Sequence, residues 1–142
     1  MIEATLLSFF LILFTIIWHF WWLSKLITLM PPADVKHSHF FRSVLILILL
    51  FLIHITEILW FSLGLYIANE VLNIGYFTEP FQPIFRDYFY YSLVTYSTLG
   101  LSEFAPVGHI KVITGLESLT GFIMLTWSAT FFYTLINRRP QK

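Results

Sequence analysis

The residues best placed to do chemistry lie together between Tyr90 and Pro106. Thr95, Ser97, Thr98 and Ser102 carry hydroxyls, Gly100 sits among them, and Glu103 follows. The chain shows no nucleophile–base constellation, no phosphate loop and no metal motif, so an enzyme is not expected. What the stretch offers is oxygen. A cation that sheds its water needs a row of oxygens in its place, and backbone carbonyls supply them if the chain is extended and they point one way. Gly100 permits the backbone angles that aim successive carbonyls together. Thr98 can add a hydroxyl at one end.

Such a site must be held by elements that keep bulk water away. Of 142 residues, 58% are hydrophobic and 11% charged. A soluble domain carries about a quarter of its residues as charges, so the expected solvent is lipid. Net charge is zero, which argues against nucleic acid as a partner. With no cysteine, disulfides and thiolate metal sites are excluded. The start lacks a basic n-region and has too long an apolar run for a signal peptide, so it reads as a retained span.

Three apolar runs reach membrane length. The first goes from about 4 to 30 and is stopped by Pro31-Pro32. The second runs from about 40 to 72, and the last from about 111 to 136. Between the second and last, residues 84–97 have a helical pattern too short to cross, which suggests a re-entrant half-helix. The loop 98–102 follows it. Lys36 and Arg42 lie in the first connection, and Arg138, Arg139 and Lys142 at the C-terminus. The positive-inside rule makes both regions cytoplasmic and the N-terminus external.

The run Tyr90-Tyr91-Ser92-Leu93-Val94-Thr95-Tyr96-Ser97-Thr98-Leu99-Gly100-Leu101-Ser102-Glu103-Phe104-Ala105-Pro106 resembles the pore signature of the potassium-channel superfamily. That signature has paired aromatics, a Thr-rich helix end, Thr-Val-Gly-Tyr-Gly, an acidic residue and a Pro three residues on. Leu116 to Gly121 is similar to the inner helix of small bacterial two-span channels. The resemblance covers the second span to the C-terminus. It implies an all-α membrane protein: three transmembrane helices, a re-entrant pore helix and a filter loop, assembled as a homotetramer in the bacterial inner (plasma) membrane. Residues 1–32 would be an additional span and 33–142 the channel domain. The expected function is passive cation permeation, with potassium leading and sodium as an alternative, no cofactor and no soluble ligand domain.

The resemblance assigns ion coordination to Thr98, Leu99, Gly100, Leu101 and Ser102, and filter support to Val94, Thr95 and Glu117. It departs at Leu101, where the family has Tyr, and at Ser102, where it has Gly. A non-glycine residue at positive φ costs about 1–2 kcal/mol. Either Ser102 carries that strain or the outer carbonyl is reoriented, and the latter favours weak selectivity. A non-conducting assembly or sensor subunit is the remaining alternative.

Other residues carry a functional and a plainer reading. Glu103 could concentrate cations at the outer mouth or bond the loop backbone. His54 and Glu57 share a helix face and could form a proton-sensitive pair or a buried packing pair. Glu117 could brace the pore helix. Gly121 could be a hinge or a close helix contact. Thr126, Thr130 and Thr134 form one stripe that could line the inner pore or bond back to the preceding turn. His37 and His39 are a weak metal signal and read as solvated loop residues. The tryptophans Trp18, Trp21, Trp22, Trp60 and Trp127 read as belt and packing residues. No run of spaced arginines marks the first span as a voltage sensor.

Overall fold

The computed structural model describes residues 1–29 and 39–137. Pro31-Pro32, Lys36, His37, Arg138, Arg139 and Lys142 lie outside the described residues. Three long helices dominate. Helix α1 spans Ile2–Leu29, α2 spans His39–Tyr66 and α4 spans Ile110–Asn137, with a shorter α3 over Phe85–Tyr96 between the last two. A π-helical turn, Ile67–Val71, extends α2. All three long helices are long and apolar enough to cross a membrane. The α3 helix has 12 residues, which gives about 18 Å at about 1.5 Å per residue. That is short of the roughly 30 Å hydrocarbon core.

Each long helix hides one stripe and exposes the rest. Ala4, Ser8, Leu11, Thr15, His19, Leu23 and Leu26 are the buried face of α1, spaced three or four apart as one helix side requires. That face packs on both α4 and α2. The approach to α2 is close at Gly64, where any Cβ would strike the Leu11 side chain. The outward faces carry Phe9, Phe10, Phe20, Phe51 and Phe122, all exposed. Such surfaces would associate in water but are the ordinary surface of a helix in lipid.

The segment between α2 and α4 is pinned at both ends by a short two-stranded antiparallel sheet. Strand β1, Gly75–Phe77, pairs with β2, Pro106–Gly108. Gly75 faces Gly108 in the register. A Cβ at Gly75 would strike the Val107 carbonyl, so the two chains can approach this closely only with glycine there. The sheet brings the two ends of the α3-and-loop segment together, next to a core that includes Phe77, Tyr88, Tyr91, Tyr96, Ile110 and Ile113.

Candidate functional site

Helix α3 is anchored before it is aimed. Near its first turn, the Asp87 carboxylate accepts the Gln82 backbone N–H and the Arg86 Nε–H, each at 3.0 Å. An acidic group there complements the positive end of the helix dipole. Tyr88 donates to Glu70 at 2.7 Å, and Asn69 donates to the same hydroxyl, so the π-helical turn is tied to the start of α3. At the far end Tyr96 is buried, and Gly121 of α4 lies against it. A Cβ at Gly121 would collide with the Tyr96 carbonyl and ring. That contact gives Gly121 the close-packing geometry. Glu117, one turn earlier, is fully buried and faces Ser92 of α3.

The loop leaving α3 has two differently built halves. In the first, the N–H groups of Leu99 and Gly100 both return to the Val94 carbonyl, at 3.0 and 3.3 Å. The Thr98 N–H returns to Thr95 at 3.0 Å. Val94 is itself buried, and its carbonyl supports the loop. Gly100 has φ 65°, the left-handed conformation glycine adopts without penalty. Thr98 shares that region at φ 58°, where a branched side chain is strained. Nothing in the sequence marked Thr98 for it.

In the second half, side chains hold the backbone. The Tyr90 hydroxyl donates to the Leu101 carbonyl at 3.3 Å. Ser102 Oγ donates to the Phe104 carbonyl at 2.9 Å and accepts the Phe104 N–H at 3.2 Å. Ser102 is not among the described non-glycine residues with positive φ, which are Asn73 and Thr98. It therefore carries no left-handed strain and instead closes a local turn. Leu99 and Leu101 are exposed, at 62% and 65%. Glu103 is exposed beside it.

The remaining predicted residues lie elsewhere. Thr126, Thr130 and Thr134 sit further along α4, all exposed. Their hydroxyls donate back one turn, to Phe122, Thr126 and Thr130, at 2.8, 3.1 and 2.9 Å. They share an exposed face with Phe122, Ile123 and Tyr133. His54 and Glu57 do not reach the loop but join its helix through Tyr96, whose hydroxyl donates to Glu57 at 2.5 Å. They also gain a partner from α1: His19 Nδ1 lies 2.8 Å from the Glu57 carboxylate. His19 and Ser128 are participants that the sequence did not single out; Tyr90 and Tyr96, within the run 90–106, gain their hydrogen-bonding roles only here.

A short apolar helix between two spans, ending in this loop, is the arrangement to compare with known proteins. A family model described as an ion channel matches residues 40–138. The chain belongs to this ion-channel family. The match starts at the beginning of α2 and runs past the end of α4, so α1 lies before it. No curated protein and no solved structure matches the chain. This ion-channel chain is an integral membrane protein with three membrane-length helices.

Proposed function

We propose that four copies of this chain surround an axis and form a passive pore for monovalent cations, with potassium as the leading ion. The observation that carries the reading is the family match, which takes in α2, α3, the loop and α4 together. One loop cannot encircle an ion, so the reading needs several copies. The exposed Leu99, Gly100 and Leu101 are the surface they would share. Carbonyls of Thr98, Leu99, Gly100 and Leu101 would replace hydration, helped by the Thr98 hydroxyl. The negative end of each α3 dipole favours a cation in the cavity below. Val94 and Thr95, through their carbonyls, and Glu117 and Gly121, from α4, would hold the helix end in place. Glu103 would form the charged outer ring, and Thr126, Thr130 and Thr134 would line the inner pore. On the positive-inside rule the basic residues support a cytoplasmic C-terminus, and the resemblance to small bacterial channels supports the bacterial inner membrane.

Weak selectivity is a second reading with its own support. The Leu101 carbonyl is engaged by Tyr90, and Ser102 turns its backbone away from the left-handed form. Both subtract from the outer ion positions. Purified protein in liposomes tests the pair. The channel reading expects potassium uptake driven by a gradient. Reversal potentials in mixed potassium and sodium then separate strong from weak preference. A tetramer that passes neither potassium, sodium nor caesium would instead be a non-conducting subunit.

A further inference from the structure

Midway along the three membrane-length helices, side chains from all three meet Tyr96 of the shorter α3 in one closed set of polar groups. Glu57 and His54 come from α2, His19 from α1, Ser128 from α4 and Tyr96 from α3, and all five are buried. Going round, Glu57 contacts His19 Nδ1 at 2.8 Å, and His19 Nε2 lies 3.3 Å from Ser128 Oγ. Ser128 Oγ lies 3.0 Å from His54 Nε2, and His54 Nδ1 lies 2.9 Å from Glu57. Tyr96 adds its hydroxyl to the Glu57 carboxyl and lies 3.3 Å from His54 Nδ1. Glu117 of α4 is the other buried acid behind the same α3 helix. The Trp127 ring lies 5.4 Å from the His19 ring.

The proton count of this ring is constrained. Four contacts close it, and each needs one hydrogen between its two heavy atoms. Ser128 supplies one. The other three must sit on the carboxyl and the two imidazoles. With three protons there, the ring is complete and its charge is zero, whether the carboxyl is neutral or pairs with one imidazolium. With two, one contact has no hydrogen and the ring carries a negative charge in an apolar interior, where an unpaired charge is costly. The same three side chains could span a metal ion, but each of their side-chain nitrogens and oxygens already has a partner in the ring.

We propose that this ring is a proton-binding site that latches the first span to the pore helix, and that conduction depends on its third proton. The ring joins α1 to Tyr96, and Tyr96 precedes Ser97 and the Thr98 loop. His19 is thus a positioning residue, acting on the loop through Glu57 and Tyr96. As pH rises and the third proton leaves, the latch opens, the end of the pore helix loosens and flux falls. The effect on conduction rests on the pore reading above; the ring and its proton count do not.

Glu57→Gln is the discriminating variant. A glutamine amide can place one of its two hydrogens in the ring and accept on its oxygen, as the protonated carboxyl does, but it does not lose that hydrogen with pH. Potassium flux into liposomes and the melting temperature of the solubilised protein are followed from about pH 6 to about pH 10. Wild-type flux is expected to fall about tenfold towards the alkaline end, with a parallel drop in melting temperature. In Glu57→Gln, flux and melting temperature both become flat with pH on that side. His19→Ala has low flux throughout. A Glu57→Gln protein whose flux and melting temperature still fall towards alkaline pH would overturn the proposal. So would a flat wild-type melting profile, or a stoichiometric divalent metal in the purified protein. Absence of flux in every variant at every pH would contradict the pore reading alone, and the melting profiles would still decide the ring.

Discussion

Thr98 to Gly100 and Leu101 to Ser102 are adjacent, yet they are held by different parts of the molecule. The first half hangs on main-chain bonds to Val94 and Thr95, so its shape belongs to the end of α3 itself. The second half hangs on the Tyr90 and Ser102 hydroxyls. Main-chain support survives most substitutions but fails when φ cannot be reached. Side-chain support can be removed atom by atom. Errors in the first half should therefore abolish conduction, and errors in the second should change which ion passes.

The largest effect is expected at Gly100. Gly100→Val places a branched residue at positive φ, at about 1–2 kcal/mol in each subunit. Flux should be lost while native electrophoresis still shows the assembled protein; retained wild-type flux would mean the loop does not need this geometry. Next is Gly121→Ala. The added methyl meets the Tyr96 carbonyl, and overpacking typically costs about 1–3 kcal/mol. A lower melting temperature with reduced flux is expected, whereas a hinge glycine would alter opening with little loss of stability.

Effects in the second half are smaller and of another kind. Tyr90→Phe removes one exposed hydrogen bond, worth about 0.5–1.5 kcal/mol, and frees the Leu101 carbonyl. Stability should hold, and the potassium-to-sodium permeability ratio should rise. Ser102→Gly should move the ratio the same way, by restoring the permissive backbone; unchanged ratios in both variants would detach ion choice from this half. Glu103→Gln should lower conductance modestly in dilute salt and not at about 1 M, where the Debye length is about 3 Å.

The comparison also explains what could be read in advance. The three long helices were legible because a run of about 20 apolar residues has few other fates. The channel family was legible because Gly100, Glu103 and Pro106 keep their spacing from the paired aromatics. The short two-stranded sheet was not: three-residue strands rich in Gly and Pro look like turns, and their pairing depends on residues about thirty positions apart. The Ser102 turn was invisible because its partners are main-chain atoms of Phe104. The left-handed Thr98 is dictated by the way α3 ends, not by its residue type. His19 is different. An ionisable residue inside an apolar span is a signal in its own right, and it was there to be read between Trp18 and Phe20. Its partner Glu57 lies 38 positions away, which only the packing of α1 on α2 and α4 reveals.

The most direct test of the central claim is cation flux through the purified protein reconstituted in liposomes, beside Gly100→Val as control. The account predicts gradient-driven potassium uptake by the wild type and none by the variant, with both assembled as tetramers. A wild-type tetramer that passes no potassium, sodium or caesium, or a Gly100→Val protein that conducts like the wild type, would contradict it.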